Sequence, residues 1–476
     1  MIGGPHPSVM RSSCGPMVRR TRRTKERTAS MYAVINPATG EVEEEYETFT
    51  DDQVREAVAS ADRTWREWSL VSSLDSRIPL MRNVVEIYMR RRDELADIIH
   101  HEMGKSLEEA VGEVEFSAQI YAYYADHARE LLADMPVDRL GGGTALVRKL
   151  PLGPLLGIMP WNYPYYQVAR FAGPNLLIGN TVILKHASLC PKSSAAMEAI
   201  FLEAGFPRGA FVNIYATIDQ VAAVIADPRV RGVSLTGSER AGKQVASEAG
   251  SALKKVVCEL GGNDPFIVMS TDDLDEAVGY GIAARYENVG QICNGAKRFI
   301  VVDGLYDDFL GRFVEASKKL DLAPMCSEAA AANLSRQVHR ALDEGATLVM
   351  GDPDNHGARF SPVILADIPE GASARHEEFF GPVSQFYRVA DAGEALRVAN
   401  DTPYGLGSYV FTTDPSEAEF FANGLETGMT YVNEAGADSA ELPFGGVKNS
   451  GFGREMGVLG MREFVNLKLI THHRGA

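Results

Sequence analysis

Strands and helices alternate along the middle of this chain, and this order constrains the fold more than any other feature. The apolar segments "LLGIMP", "TVILK", "FVNIYA" and "GVSLTG" are separated by segments with helical periodicity near 165–177, 193–204 and 239–249. Such alternation indicates parallel β-α-β units with right-handed crossovers. A second series of strands is predicted at 266–269, 298–302, 408–412 and 430–433. The sequence therefore predicts an α/β fold.

The flanking segments have patterns of their own. "INPATGEVEEEYE" predicts a strand, a turn and a second strand, and residues 51–103 have a helical period that Asp51 or Asp52 can cap. A second long helix is predicted at 111–132. "MPVDRLGGGTALVRKLPLG" predicts a hairpin, because glycines join two short alternating runs. The chain of 476 residues is too long for one core, so we expect two or three domains.

Charge and cysteine content narrow the location and the partners. The net charge of -17 argues against binding to nucleic-acid backbones, which requires clustered lysine and arginine. No segment is long and apolar enough to cross a bilayer. The five cysteines are odd in number and sparse, which fits a reducing compartment. We therefore expect a soluble cytoplasmic protein with no nucleic-acid or membrane partner.

The first thirty residues differ from the rest of the chain. They are rich in arginine, and Glu26 is their only acidic residue. A transit peptide, and with it a mitochondrial location, is one interpretation. Proline and glycine interrupt any amphipathic helix there, so we favour a disordered leader at 1–30 and expect the fold to begin at Met31.

Three separated segments combine turn-forming residues with reactive side chains. Asn162 lies in "MPWNYP", Glu259 in "CELGGNDP" and Cys293 in "ENVGQICNGAKR". Each has a structural interpretation of its own, as a turn former, a capping residue or a buried thiol. Ligands of α/β sheets bind at strand ends, where these segments are predicted to lie, and this favours a functional interpretation.

Together with other motifs, these segments resemble one family. "PWNYP", "LTGSERAG", "ELGGNDP", "GQIC", "EEFFGP", "NDTPYGLG" and "PFGGVKNSGFGRE" occur in the order found in the aldehyde dehydrogenase superfamily. The resemblance extends from about Tyr32 to the C-terminus, and "VILKHAS" and "AKRFIV" are most similar to the bacterial succinate-semialdehyde dehydrogenase branch. It implies a Rossmann-like dinucleotide-binding domain, an α/β catalytic domain and a β-hairpin oligomerisation flap.

The resemblance also implies catalytic roles. Cys293 would attack the aldehyde carbon, and the Asn162 amide with the backbone N–H of Cys293 would stabilise the oxyanion. Glu259 would activate the water that hydrolyses the thioester. We expect no metal site, because the sequence lacks HExxH and CxxC motifs and its paired histidines lack metal-site spacing.

The expected cofactor is NADP or NAD, although the usual GxGxxG motif is missing. "GFGREMG" follows no predicted strand and is discarded. The resemblance implies that Gly237 and Ser238 open a helix facing the pyrophosphate, near Trp161. It places Lys185 at the adenosine ribose, and Glu378 and Phe380 at the nicotinamide side.

Ser188 bears on the choice between the two cofactors. Many NAD-using relatives have a glutamate at this position, which accepts a hydrogen bond from the ribose 2′-hydroxyl and repels a 2′-phosphate. Serine removes that electrostatic barrier. We therefore expect NADP to be favoured, or both cofactors to be accepted.

Two residues point to the substrate. Arg170 matches the arginine with which succinate-semialdehyde dehydrogenases bind the substrate carboxylate, and Ser439 lies where that group has an assisting hydroxyl. The structural alternative for Arg170 is a helix salt bridge. Glu287 departs from the pattern, since some members have a second arginine there. It would repel a carboxylate unless it turns away or pairs with Arg170 or Arg285.

Other functions remain open alternatives. The enzyme could oxidise a neutral or cationic aldehyde, or it could transfer the acyl group to CoA, although that reaction has less need of Glu259. A silent scaffold is disfavoured because Cys293, Glu259 and Asn162 are all present.

The predicted division has three parts. Residues 31–131 and 149–258 form the dinucleotide-binding domain, 259–450 the catalytic domain, and 132–148 with 451–476 the flap. An isolated hairpin is marginally stable and leaves an unpaired edge, so we expect a homodimer or homotetramer. Near Leu320 the chain is about ten residues shorter than its relatives, which loops tolerate.

Overall fold

The computed structural model describes residues 32–140, 142–436 and 438–473. The predicted leader at 1–30 and the predicted start at Met31 lie outside the described residues. Among the described helices, none is long and apolar enough to span a membrane.

The N-terminal part consists of one hairpin followed by four helices. The predicted strand-turn-strand is confirmed, because β1 (Tyr32–Ile35) pairs antiparallel with β2 (Val42–Tyr46). The helices that follow are α1 (Asp51–Thr64), α2 (Leu74–Arg90), α3 (Arg92–Met103) and α4 (Leu107–Leu131).

The long helical segment predicted at 51–103 is divided into separate helices. A π-helical turn, Trp65–Ser69, follows α1, and the chain leaves helical geometry again at Arg91. The cap predicted at Asp51 or Asp52 is wrong by one or two residues. Thr50 is the N-cap, because its hydroxyl accepts a hydrogen bond from the backbone N–H of Gln53.

The predicted hairpin contributes two strands, β3 (Met135–Pro136) and β4 (Thr144–Pro151), which pair antiparallel. A parallel sheet follows, built from alternating elements. These are β5 (Pro154–Met159), α5 (Tyr166–Ile178), β6 (Thr181–His186), α6 (Pro191–Glu203), β7 (Phe211–Asn213), α7 (Ile218–Ala226), β8 (Gly232–Thr236), α8 (Glu239–Ser251) and β9 (Lys255–Glu259).

The strand order of this first sheet is β9-β8-β5-β6-β7. The chain moves outward from β5 to β7, then crosses to the other side of β5 for β8 and β9. The crevice at the carboxyl ends of β5 and β8 is therefore a topological switch point, where open α/β sheets bind ligands.

A second sheet of seven strands follows. Its elements and those beside it are β10 (Asp264–Val268), α9 (Leu274–Tyr286), β11 (Ala296–Val302), α10 (Asp303–Ser317), α11 (Glu328–Asp343), β12 (Thr347–Met350), β13 (Val363–Ala366), β14 (Val383–Val389), α12 (Ala392–Asn400), β15 (Tyr404–Gly405), β16 (Tyr409–Phe411), α13 (Pro415–Gly424) and β17 (Tyr431–Val432). The order is β12-β13-β14-β11-β10-β16-β17, and only β12 pairs antiparallel. The α/β fold is confirmed.

The C-terminal segment returns to earlier parts of the chain. Its elements are β18 (Val447–Lys448), β19 (Gly451–Phe452), α14 (Gly457–Glu463) and β20 (Val465–His472). β18 pairs with β15, while β19 adds a sixth strand to the first sheet beside β9. β20 pairs along the whole of β4 and completes a three-stranded sheet. The three-part domain division stays a prediction.

Candidate active site

Three loops meet at the carboxyl end of the first sheet. Asn162 follows β5, and its Nδ2 donates to the carbonyl of Gln291, 3.1 Å away. The turn after β9 approaches the same loop so closely that a Cβ on Gly262 would lie 2.5 Å from the carbonyl oxygen of Cys293. The structure thus brings together the three segments that the sequence singled out.

The backbone before Cys293 is strained. Asn288, Val289 and Gly290 are all left-handed, with φ of 48°, 58° and 71°. A β-branched valine is rare in this conformation, which persists only where the surroundings enforce it. The Asn288 backbone N–H donates to Glu109 Oε1 at 2.7 Å, and its side-chain amide donates to the carbonyl of Asn162 at 2.9 Å. The surrounding contacts hold the loop in one geometry.

Cys293 is half-buried and lines a cavity. Burial raises the pKa of its thiol to about 12, although the positive charges of Arg170 and Lys297 oppose the shift. The Lys297 ammonium donates to the carbonyls of Ile292 at 2.8 Å and Cys293 at 2.7 Å. A thiol with a pKa of about 12 is protonated at neutral pH and must lose its proton before it can act as a nucleophile.

Glu259 ends β9 and is buried, with 2% of its surface exposed. Neither of its carboxylate oxygens has a hydrogen-bond partner among the described residues. Its pKa lies well above the usual range, because of burial first and the nearby charge of Glu455 second. Gly445 packs so close that a Cβ there would lie 2.6 Å from Glu259 Oε1. A buried carboxyl group with a raised pKa is suited to accept a proton.

The cavity has a volume of about 320 Å³. Cys293 is the only predicted catalytic, cofactor or substrate residue that lines it. Acidic and aromatic side chains form much of the wall: Glu109, Glu113, Glu287, Asp438, Phe116, Tyr163, Tyr166, Tyr409 and Phe444. The cavity is therefore rich in carboxylates, which bears on the charge of the substrate.

Glu287 does not form either of the ion pairs considered for it. It accepts a hydrogen bond from the Tyr163 hydroxyl at 2.7 Å instead. Arg285 is committed to backbone carbonyls, among them Ala296 at 3.0 Å, and Arg170 pairs elsewhere. Desolvation by the surrounding protein raises the pKa of Glu287, and the charges of Glu109 and Asp438 add to the shift, whereas the Tyr163 hydrogen bond and the charge of Lys105 oppose it.

Arg170 is buried behind the cavity wall. Its Nε lies 2.9 Å from Glu455 Oε2, and its guanidinium carbon lies 4.7 Å from the ring centre of Tyr166 and 4.4 Å from that of Phe444. This geometry matches the alternative of a structural salt bridge. Direct contact between Arg170 and a substrate stays a prediction that the geometry does not favour.

Ser439 is half-buried and does not line the cavity, whereas its neighbour Asp438 does. Asp438 accepts hydrogen bonds from the Tyr431 hydroxyl at 3.0 Å and from Asn294 Nδ2 at 3.3 Å. Burial raises the pKa of Asp438. The structure therefore presents the adjacent residue, Asp438, to the cavity, and a role for Ser439 in substrate binding stays a prediction.

The first group of predicted cofactor residues lies at the strand ends of the first sheet. Ser238 is the N-cap of α8, since its hydroxyl accepts from the N–H of Ala241. A Cβ on Gly237 would contact only Leu235, at 3.7 Å, so the space beside this turn is open. Lys185 lies near the carboxyl end of β6, at the same edge of the sheet, and burial lowers the pKa of its ammonium group. It forms no ion pair with any residue that the structure describes, which leaves a cation available for an anionic ligand.

The second group lies in the loops beside β5, β6 and β14. The rings of Trp161 and Phe380 pack edge to face with centres 5.8 Å apart. Glu378 Oε1 accepts from the backbone N–H of Gly262 at 3.0 Å and lies 3.3 Å from Lys297 Nζ. Ser188 is half-buried at the entrance to α6. Of these residues, Glu378 lies beside the loop of Cys293, because its partner Lys297 also donates to the Cys293 carbonyl at 2.7 Å.

Sequence reasoning missed the residues that support this geometry. Lys297 is fully buried, and Gln291 Oε1 accepts a hydrogen bond from the backbone N–H of Cys326 at 2.9 Å. The lysine and arginine at the start of the apolar strand "AKRFIVV" could have indicated such supporting residues, because a charged side chain in a buried strand needs specific partners. Glu455 carried no such signal, since its partner Arg170 is 285 positions away in sequence.

Comparison with known proteins identifies related sequences and structures. A profile of the Aldehyde dehydrogenase family matches residues 24–470. Succinate-semialdehyde dehydrogenase (NADP+) of Deinococcus radiodurans is 46% identical, over 94% of this chain and 96% of that protein. The enzyme of the same name from Mycobacterium avium is 40% identical, over 92% of this chain and 96% of that protein. The crystal structure of succinic semialdehyde dehydrogenase from Streptococcus pyogenes in complex with NADP+ has a TM-score of 0.90 and 40% identity, covering 93% of this chain and all of that one.

Proposed function

The chain belongs to the aldehyde dehydrogenase family, and from this membership we propose that it oxidises succinate semialdehyde to succinate with NADP through a thioester on Cys293. It is an NAD(P)-dependent oxidoreductase that acts on aldehydes. The observation that carries the proposal is the position of Cys293. Its thiol lines a cavity, and its loop contacts the turn that follows Glu259, whose carboxylate accepts no hydrogen bond from any described residue.

The acylation half of the reaction begins at Cys293. Its thiol loses a proton to solvent water, the thiolate adds to the carbonyl carbon, and the carbonyl oxygen becomes an oxyanion. Asn162 Nδ2 donates one hydrogen bond to the carbonyl of Gln291. Its second N–H, together with the backbone N–H of Cys293, is proposed to donate to this oxyanion and stabilise it. A bound NADP+ would supply the hydride acceptor, and the carbonyl bond re-forms as the hydride leaves the substrate carbon. The product on the enzyme is an acyl-thioester.

The deacylation half requires a base. The raised pKa and missing hydrogen bonds of Glu259 support its proposed role, which is to take a proton from the water that attacks the thioester. The acid is released, and the thiol of Cys293 is restored. CoA transfer is the alternative fate of the thioester, and a buried carboxylate at position 259 favours water.

The residues present fit an NADP molecule. We propose that Gly237, Ser238 and Trp161 bind the pyrophosphate, since the amides at the N-terminus of α8 adjoin open space. Lys185 and Ser188 would hold the ribose and its 2′-phosphate. Glu378 and Phe380 would hold the nicotinamide side, as an expectation from the family resemblance. Lys185 forms no ion pair with any described residue, and this observation favours an anionic ligand here.

Replacing Ser188 with glutamate is expected to reverse the cofactor preference. A carboxylate at this position would repel the 2′-phosphate, so kcat/KM for NADP should fall by at least about a hundred-fold while that for NAD is retained. Steady-state kinetics with both cofactors measure the effect, and Ser188→Ala is the matched control without added charge. Equal losses for both cofactors would remove Ser188 from the 2′-phosphate site.

Replacing Arg170 with alanine tests the proposed substrate. KM should rise at least about ten-fold for succinate semialdehyde and much less for a neutral aldehyde of equal length, because a carboxylate depends on a nearby cation. Glu455→Gln in the same background removes the carboxylate that the change leaves unpaired. Equal effects on both aldehydes would leave Arg170 with a structural role only.

Replacing Glu287 with glutamine should favour the carboxylated substrate. The change keeps an acceptor for the Tyr163 hydroxyl and removes a negative charge from the cavity. At pH 8, kcat/KM for succinate semialdehyde should rise about three- to ten-fold, and that for a neutral aldehyde should stay within about two-fold. An unchanged value for succinate semialdehyde would show that Glu287 does not oppose this substrate.

The first activity assay is the initial rate of NADPH or NADH formation from succinate semialdehyde, with the two cofactors in parallel. A higher kcat/KM with NADP supports the proposal. The absence of oxidation with either cofactor would overturn the substrate assignment, and a product that forms only with CoA would favour the acyl-transfer alternative.

We also propose a homo-oligomer in the cytoplasm. β20 is the edge of its sheet and exposes Leu467 and Leu469, by 52% and 62%. Such an edge favours pairing with another subunit. The four described cysteines are all free, which fits a reducing compartment.

A further inference from the structure

Two glutamates on one face of α4 contact the two loops of the candidate active site. Glu109 and Glu113 are four residues apart and both line the cavity, so they share one face of the helix. Glu113 Oε1 accepts hydrogen bonds from the backbone N–H groups of Tyr165 at 2.8 Å and Tyr166 at 3.3 Å. These amides lie three and four residues after Asn162, so Glu113 holds the loop that carries the Asn162 amide.

Glu109 contacts the other loop, which leads to Cys293. Its Oε1 accepts a hydrogen bond from the backbone N–H of Asn288 at 2.7 Å. Its Oε2 accepts from the hydroxyl of Ser106, the N-cap residue of α4, at 2.8 Å. A fully hydrogen-bonded carboxylate is held rigidly, so the position of Glu109 on α4 sets the position of Asn288.

A closed network of hydrogen bonds leads from Asn288 to Asn162. Asn288 Nδ2 donates to the carbonyls of Asn162 at 2.9 Å and Gln291 at 3.3 Å, and Asn162 Nδ2 donates to the same Gln291 carbonyl at 3.1 Å. All three residues are buried. Asn288 has a left-handed φ of 48°, which persists only where the surroundings enforce it, and Glu109 supplies a charged acceptor from a separate helix.

We propose that Glu109 is a positioning residue for the oxyanion site: it fixes Asn288, and through Asn288 it orients the Asn162 amide relative to the backbone N–H of Cys293. This inference rests on the proposed function, which assigns those two donors to the oxyanion. A donor stabilises an oxyanion only when it points at the place that the oxygen takes in the transition state. Loss of the Glu109 carboxylate should therefore slow the steps that form an oxyanion, and should leave Cys293 reactive toward reagents that form none.

Three variants separate positioning from charge and from general damage. Glu109→Ala removes the acceptor for the Asn288 N–H. Glu109→Gln removes the charge, but its amide oxygen can still accept from Asn288 and its amide nitrogen can donate to the Ser106 hydroxyl, so the network survives. Glu108→Ala is the matched control, because Glu108 is an exposed glutamate in the same turn of α4 and lies outside the cavity lining.

Two rates are measured for each variant. The first is stopped-flow NADPH formation in the first turnover at saturating succinate semialdehyde and NADP. The second is alkylation of Cys293 by iodoacetamide, in which sulfur bonds to a saturated carbon, iodide leaves and no oxyanion arises. Glu109→Ala should lower the first rate at least about thirty-fold, since small misplacements of catalytic groups are costly, and should change the alkylation rate less than about three-fold. Glu109→Gln and Glu108→Ala should stay within about three-fold of the wild type in both rates.

Asn288→Gly tests the second link, and does so even if Glu109→Ala fails to fold. Glycine adopts a left-handed φ without strain and keeps the backbone N–H for Glu109, but it lacks the amide that reaches Asn162. It should slow the first turnover to a similar extent. Adding Glu109→Ala should then cost less than about three-fold more, because changes within one network are not additive. Losses that multiply would show that Glu109 does not act through Asn288.

The remaining outcomes distinguish this inference from the proposed function. An unchanged first turnover in Glu109→Ala, an equal loss in both of its rates, or a Glu109→Gln enzyme as slow as Glu109→Ala would each overturn the inference alone. A wild type that oxidises hexanal but not succinate semialdehyde would overturn the substrate assignment alone, and the same comparisons with hexanal would then decide the role of Glu109. A wild type that oxidises neither aldehyde would overturn both.

Discussion

Replacing Cys293 with alanine is expected to abolish aldehyde oxidation, with a loss in kcat of more than about a thousand-fold. No other described cysteine lines the cavity, so no second thiol can replace it. The raised pKa of this thiol means that the thiolate forms only with help from its surroundings, and Cys293→Ser should be nearly as inactive.

Initial rates of NADPH formation measure this loss, and Cys326→Ala is the control. Burial also raises the pKa of Cys326 to about 12, but this residue lies outside the cavity lining. The control should keep most of its activity. A Cys293→Ala enzyme with more than about a tenth of the wild-type rate would exclude the covalent route, because enzymes lacking their nucleophile retain only residual catalysis.

Replacing Glu259 with glutamine is expected to stop turnover after the first cycle. Loss of the base that activates water should lower steady-state kcat by about a hundred- to ten-thousand-fold. Hydride transfer precedes that step, so one equivalent of NADPH should still form in a burst. The substitution keeps the size of the side chain, and because neither oxygen of Glu259 has a described hydrogen-bond partner, it breaks no described bond.

Stopped-flow absorbance resolves the burst from the steady state. The wild type should continue turnover after the first equivalent of NADPH. Glu463→Gln is the control, because the Glu463 carboxylate contributes to the charge around Glu259 but is not buried. Unchanged steady-state turnover in Glu259→Gln would remove this residue from deacylation. Loss of the burst as well would assign Glu259 an additional part in deprotonating the Cys293 thiol.

Local patterns predicted much of the fold. The strands around 266–269 and 298–302 and the helices of the first sheet lie where apolar periodicity placed them, because buried parallel strands are continuous apolar runs. The division of 51–103 into three helices was not predicted, since the breaks at Trp65–Ser69 and Arg91 have no proline or glycine to signal them. The break before α2 carried one local signal, because Ser73 is the N-cap of that helix.

The candidate site was predictable where motifs carry the chemistry and unpredictable where distant side chains interact. Cys293 and Glu259 were identified from their segments, and the structure joins those segments through Gly262. The ion pair of Arg170 with Glu455 joins residues far apart in sequence. No local sequence pattern could therefore show that this ion pair holds the Arg170 guanidinium behind the cavity wall. The hydrogen bond between Tyr163 and Glu287 is of the same kind.

The most direct test of the thioester is the mass of the acylated enzyme. Glu259→Gln should be mixed with succinate semialdehyde and NADP, quenched in acid within the burst, and analysed by intact-protein and peptide mass spectrometry. We expect one added succinyl group, located on the peptide containing Cys293 and absent when NADP is omitted. An unmodified enzyme after a full burst of NADPH, or an acyl group on another residue, would contradict it.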